Sequence, residues 1–477
     1  MESLYKLKDP ISKNMLKRLK EDPQKPLENL QGNILQGHGR DHSVHIFLRF
    51  KDEKRYGVKK WIKKLTKCIT SAQQQFDEIE QYRQYRIPGR LLVSFFLSAS
   101  GYTSLGLNVP EDSAMIANQA FTHGMKAAQA VLKDPPTGRW DENYRQRIDA
   151  MVLLADDDEN FLMREARKLL DSVKSYADIC TIERGKVMRN ALEYSVEHFG
   201  YVDGRSQPLF FESDIEWERQ KGDGTHVWPP DAGLGLVLAP DPHGEEKDST
   251  GKVVHHHSGS YLVFRKLEQN VRAFKEHEQE LAKTLGLSGE DAKRAGALVM
   301  GRFEDGTPIV AQDTAGRPNR VPNNFTYDDD KYGHKCPFQA HIRKVNRRIK
   351  GIRRIVRRGI TYGTREKEPK DSPSLAELPT RGVGMLFMCF QKSIADQFEF
   401  LQSQWANEPS SPEKETGIDP VIGQLEQGKM SWQQWRAEWG NSREEPKPLA
   451  FHGFVTLKGG EYFFAPSLYF LKNIDQR

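Results

Sequence analysis

Two segments of this chain hold residue types that can do chemistry together. Gly200-Tyr201-Val202-Asp203-Gly204 sets one carboxylate between two glycines, which free the backbone around it. Cys336-Pro337-Phe338-Gln339-Ala340-His341-Ile342-Arg343-Lys344 sets one imidazole at the head of a basic stretch. An imidazole can ligate a metal, and a carboxylate can take a proton from one atom and return it to another. Arg357, further along the same stretch, carries a fixed charge able to stabilise negative charge as it develops. Such a set suits a bound metal group with its ligand on one face and acid–base chemistry on the other. The plainer use of Asp beside Gly is a turn in which the side chain bonds its own backbone, and Pro208 nearby marks irregular backbone on either reading.

The stretch after His341 needs its own account. Arg343, Lys344, Arg347, Arg348, Lys350, Arg353, Arg354, Arg357 and Arg358 are nine cations in sixteen positions with no acid among them. A solvated helix face, a nucleic-acid patch and an internal anion site are the three readings. The run has no aromatic side chain to stack on bases. It is interleaved with Ile342, Val345, Ile349, Ile352, Ile355 and Val356, so much of it must pack into a core, which favours the internal anion. Haem would supply that anion, because its propionates call for guanidinium partners and its iron for a proximal histidine. The run His255-His256-His257, by contrast, reads as a flexible loop before a strand at Ser260 rather than as a metal site.

The length of 477 residues exceeds what one core usually sustains, so two or three domains or a doubled fold are expected. A formal charge of +5 spread over 71 basic and 66 acidic side chains points to neither nucleic acid nor an anionic membrane as partner. Cys68, Cys180, Cys336 and Cys389 show no CxxC or CxxCH spacing, which argues against covalent haem, structural zinc and a disulfide framework and suits buried thiols in a reducing compartment. With no apolar leader, no twin arginine and no apolar run long enough to span a bilayer, the expected location is the cytoplasm.

The elements that must position these residues can be read from the apolar pattern. Strands are expected over residues 44–50, 91–97, 151–155, 260–265 and 384–390, and helices over 59–76, 161–176 and 269–285. Residues 1–26 read as a surface arm or a short leading helix, and residues 362–380 and 407–448 as loops, the second a surface elaboration. The two halves repeat one grammar, with the apolar run at 89–96 looking like the counterpart of that at 382–390.

At these residues the chain resembles the dye-decolorising peroxidase family. Gly200 to Gly204 is similar to its GxxDG motif, Cys336 to Lys344 to its proximal-histidine segment, and Ile355-Val356-Arg357-Arg358-Gly359 to its distal-arginine segment; Leu30-Gln31-Gly32-Asn33-Ile34-Leu35 and Gly459-Gly460-Glu461-Tyr462-Phe463-Phe464-Ala465-Pro466 match near the two ends. The resemblance implies an α+β fold of duplicated ferredoxin-like modules with antiparallel sheets, like a dimeric α+β barrel. The first module would cover 1–215 and carry the GxxDG segment, and the second, 216–477, would hold most of the haem. It further implies one non-covalent haem b per chain, with His341 as iron ligand, Asp203 as distal acid–base, Arg357 as distal arginine, Arg348 as a propionate partner, and Leu386 and Phe387 lining the distal side. The function implied is reduction of hydrogen peroxide and oxidation of bulky organic donors, anthraquinone-type dyes and phenols, through a ferryl-oxo species, with electrons relayed by surface Trp or Tyr. A haem carrier or sensor is the alternative, but it would not need both Asp203 and Arg357. The chain departs from the family where Asn346-Arg347-Arg348 replaces the frequent Asn-Pro-Arg, and Asp396 is the candidate partner for the second nitrogen of His341.

Overall fold

The computed structural model describes residues 3–111, 119–221, 228, 230–316, 323–349, 353–426 and 428–477. Near the start, α1 (Lys13–Glu21) begins at Ser12, whose hydroxyl accepts from the Met15 amide, so the leading segment is a short capped helix. The β-branched and aromatic runs of the first half form β1 (His42–Phe50), β2 (Leu92–Leu97), β3 (Ala150–Asp156) and β4 (Ala177–Lys186). Between β1 and β2 lie α2 (Arg55–Leu65) and α3 (Ala72–Tyr85), and α4 (Glu159–Val173) joins β3 to β4. The single helix expected over 59–76 is therefore two. Ser71 starts the second by accepting from Gln74, a cap that a continuous helix would have no use for.

The second half runs through β5 (Ala239–Lys247), β6 (Val253–Gln269), α5 (Val271–Leu285), α6 (Lys293–Met300), α7 (His341–Val345), β7 (Val356–Arg357), β8 (Ile360–Tyr362), β9 (Gly384–Gln391) and β10 (Val455–Ala465). His255, His256 and His257 lie within β6, not in a flexible loop; β5 pairs alongside, and His257 Nε2 meets Glu246 at 3.2 Å.

The strands form one antiparallel sheet in the order β5-β6-β10-β2-β3-β1-β4-β8-β9-β7, and an additional β6–β9 pairing closes it into a barrel. Taking the main strands of each half in chain order, the first half reads second-third-first-fourth as β2-β3-β1-β4, and the second half repeats this as β8-β9-β6-β10. The halves are thus duplicated α+β modules, as expected, with one correction. By rank β9 corresponds to β3, and β2 to β8, so the likeness between 89–96 and 382–390 joins strands of different rank and reflects shared burial. The fourth strand of each half abuts the second of the other, with Tyr362 opposite Gly185 at one seam and Phe464 opposite Leu97 at the other.

Inside the barrel Phe47 and Phe264 pack edge to face at 4.8 Å, with Tyr144 and Phe463 at 5.5 and 6.3 Å from the Phe47 ring, while Phe95 on the outer face packs on Trp61 of α2. A second core lies outside, where α5 and α6 cover the second half with Phe274, Val299, Trp435 and Phe451. Residues 407–448 are not a surface elaboration. They bury Asp419, Gln433 and Trp435, and Gln433 bonds the carbonyls of Ile418 and Phe451. Of the cysteines, Cys68 is exposed and the other three are buried. Among the described residues no helix is long and apolar enough to cross a membrane.

On β6, Arg265 is buried against Asp134, the two forming a bidentate pair with Nη1 to Oδ2 at 2.8 Å. Removing the charge of one partner leaves the other uncompensated in low dielectric. Asp134→Asn should cost roughly 3–5 kcal/mol, read as a lowered Tm in thermal denaturation; an unchanged Tm would show the pair to be no part of the folded core.

Candidate active site

Asp203 ends a tight turn organised by a buried acid upstream. The Glu197 carboxylate accepts from the Phe199 amide at 2.9 Å, the Tyr201 amide at 3.0 Å and Gln269 Nε2 at 2.6 Å. Gly200 and Gly204 take φ of 101° and 78°, left-handed conformations that a side chain would strain. The Asp203 amide donates to Ser195 O, and its side chain is about a third exposed. Arg357 Nη1 stands 3.7 Å from Asp203 Oδ1. The arginine is held by its own amide on Gln207 Oε1 and by Nη2 on Arg205 O, so the loop carrying the acid also fixes the guanidinium.

His341 opens α7. Its Nδ1 lies 2.9 Å from Asp419 Oδ2, and Asp419 is fully buried, with Oδ1 also accepting from the Val421 and Ile422 amides. Nδ1 is thereby fixed as the donor, and Nε2 remains for whatever the cavity holds. Asp396 does not reach this histidine. It is a helix N-terminal acid, its amide on Ser393 Oγ and one carboxylate oxygen accepting from that hydroxyl. The acid that bonds His341 instead comes from 407–448, where Asp419 sits in Gly417-Ile418-Asp419-Pro420 with no periodicity to mark it.

His341, Asp203 and Arg357 all line one cavity of about 280 Å³. Its wall includes Arg205, Arg302, Arg348, Arg353 and Arg354, with Glu197 and Asp203 as the acids. Strand alternation settles the aromatic side. Met385 and Phe387 face the cavity, whereas Leu386, between them, is fully buried in the barrel core and does not line it. Phe387 packs near Phe398, with ring centroids 6.1 Å apart.

The basic run resolves into contacts within the protein, with Arg343, Lys344 and Arg348 buried and Arg353 exposed. Arg343 is held by Asp330, the Arg358 guanidinium by the carbonyls of Asn33 and Ile34, and Arg353 lies over the Phe400 ring at 3.8 Å; residues 350–352 lie outside the described residues. Burial lowers Arg358 to about 9 and Arg302 to about 9, in each case with a neighbouring arginine adding to the effect. Arg348 has φ of 52° and donates to the carbonyls of Asn323 and Phe325, to Asn323 Oδ1 and to Ser206 Oγ, while stacking over Phe325 at 3.6 Å. Four of a guanidinium's five N–H groups are thus spent on protein oxygens. The residue before it, Arg347, stands where the family often has proline; its guanidinium lies over Trp405 and donates to Ser411.

Two models of known families match this chain: a DyP dimeric alpha+beta barrel domain over residues 29–188 and the Dyp-type peroxidase C-terminal domain over 242–416. The multifunctional dye peroxidase DyP2 of Amycolatopsis sp. is 42% identical over 467 residues, covering 94% of this chain and 96% of that protein. The dye-decolorizing peroxidase msp1 of Mycetinis scorodonius is 28% identical over 94% of this chain and 87% of its own. Among solved structures, a DyP-type peroxidase of Anabaena sp. superposes with a TM-score of 0.87 at 38% identity, covering 99% of both chains.

The Glu197 carboxyl generates a pH prediction. Burial pushes it up to about 7, against the pull of the Phe199 amide, Gln269 and the Tyr201 amide, with Asp203 adding to the rise. An acid whose folded pKa lies above its unfolded value binds more protons when folded. Its contribution is therefore most favourable below the unfolded value near 4.5 and is lost as pH rises through about 7, by roughly 3 kcal/mol in all. Glu197→Gln cannot ionise, so its stability deficit relative to the parent should be larger at pH 5 than at pH 8 when both are followed by chemical denaturation. An equal deficit at both pH values would contradict the shift.

Proposed function

The chain belongs to the DyP-type peroxidase family, and on that premise we propose that it is a haem b enzyme that reduces hydrogen peroxide and oxidises bulky organic donors such as anthraquinone-type dyes and phenols. It is a peroxidase acting on dyes at the level its relatives establish. The observation that carries the finer reading is the convergence on one cavity of a histidine already oriented by a buried acid and a carboxylate–guanidinium pair.

The donor set fits a dicarboxylate iron porphyrin. His341 Nε2 would ligate the iron, and the arginine-rich wall, with Arg348 and Arg302 in it, would balance the propionates. Arg348 would act mainly through its charge and Nε, since its other donors are committed. Phe387 and Met385, rather than Leu386, would flank the ring. When bound, the group would supply the iron that accepts an oxygen atom from peroxide and then withdraws electrons from donors.

The chain's own residues handle the protons and the charge. Asp203 Oδ1 faces Arg357, which leaves Oδ2 to take the proton from the near oxygen of peroxide and return it to the far one, so that the far oxygen departs as water. Arg357 pairs with that carboxylate and opposes the negative charge on the departing oxygen. Asp419 holds His341 in one tautomer and makes it a stronger base toward a metal.

His341→Ala should yield a folded protein that retains haem poorly; full occupancy with an unchanged absorption spectrum would sink the ligand assignment. In rapid mixing with peroxide, Asp203→Asn should slow the first spectral change by about 10² to 10⁴. Arg357→Leu should slow it at least as much, because it removes a fixed charge and also the partner of Asp203. Parent-like rates for Arg357→Leu beside slow rates for Asp203→Asn would leave the carboxylate as the sole contributor.

A further inference from the structure

Lys344 is fully buried on α7, one turn beyond His341, and no role above uses it. An ammonium removed from water needs strong partners, ordinarily a carboxylate. Here the partners are three backbone carbonyl oxygens: Glu408 at 3.1 Å, Ser411 at 2.5 Å and Gly417 at 2.8 Å. All three of its protons are thereby used.

The three carbonyls belong to one stretch of chain. Glu408, Ser411 and Gly417 mark its beginning, middle and end, and Asp419 follows two residues on, with its amide on Ala406 O. Arg347, on the segment that follows α7, donates to Ser411 from the same side. The helix that carries the histidine therefore grips the loop that carries the acid, and the His341–Asp419 contact is the far end of that grip. A single flexible carbonyl could be satisfied by water, but a buried ammonium holding three carbonyls fixes a loop in one position. Burial also lowers Lys344 to about 8, opposed by Asp419 and aided by Arg347, as a charge paired only with dipoles should behave.

We infer that Lys344 is a positioning residue that sets the hydrogen bond between Asp419 and His341, and through it the electron density on the ligating nitrogen. The inference rests on the reading of His341 as the iron ligand. Losing a carboxylate bond to a ligating imidazole weakens its basicity and disfavours ferric iron, so the reduction potential rises.

The test is the ferric/ferrous reduction potential of haem-loaded protein in the parent, Lys344→Met, Asp419→Asn and the double variant. Asp419→Asn should raise the potential, Lys344→Met should raise it in the same direction by a smaller amount, and Lys344→Met should add nothing in the Asp419→Asn background. Should Lys344→Met fail to fold, Lys344→Gln, which keeps two donors on a shorter arm, is measured in its place with the same expectations. A parent-like potential in the Lys344 variant overturns the inference. So does a shift that persists undiminished in the double variant, since it would not pass through Asp419. If Asp419→Asn itself leaves the potential unchanged, the ligand reading falls and the inference falls with it.

Discussion

A cation taken out of water costs several kcal/mol unless every donor meets an oxygen, and this chain buries many of them. Arg265 is met by Asp134, Arg343 by Asp330, Lys344 by three carbonyls, Arg348 by Asn323, Phe325 and Ser206, and Arg358 by Asn33 and Ile34. Each partner lies far along the chain from its cation or on another element. Satisfying the donors therefore fixes the N-terminal segment, the turn beyond Asp203 and the loop before Asp419 against the barrel. The cavity is what remains between parts so fixed, and its positive wall is the residue of the same constraint.

That constraint also explains how much could be read in the sequence. Asp203, His341 and Arg357 announce themselves because each sits in a local pattern that carries its own meaning: glycines on either side, a proline-led turn into a helix, a basic run. The dense cations at 343–358 argue for burial through the apolar residues between them; Arg343, Lys344 and Arg348 are buried, Arg347, Arg354, Arg357 and Arg358 are half-buried, and Arg353 is exposed. Asp419 and Glu197 announce nothing. Beyond the local amides they cap, the partners that give them meaning are distant in the chain, 78 positions away for Asp419 to His341 and 72 for Glu197 to Gln269. Asp396 looked suitable by residue type alone, but the proximity that would have given it the role belongs to another acid.

The fold was legible in its elements and their repetition, less so in their pairing. Apolar runs reveal burial, and β2, buried on both faces, and β9, buried on one face and half-buried toward the cavity on the other, look alike although they hold different ranks in their halves. Alternation fails in the same way at β9. Leu386 and Phe387 are equally apolar, and only the location of the barrel interior decides that Leu386 turns inward while Phe387 turns to the cavity.

The seams of the barrel are its thinnest lines. Within the halves the ladders of β1 with β3 and of β6 with β10 run for many residues, whereas β4 meets β8 at Tyr362 and Gly185, and β10 meets β2 at Phe464 and Leu97. The free energy of a local opening follows the hydrogen bonds and apolar contacts it breaks. The molecule is therefore two well-knit half-shells joined along two hinges of low tensile strength. Arg357 and the short strand after it lie beside one hinge, so any parting of the half-shells along that line would carry the guanidinium away from the rest of the cavity wall.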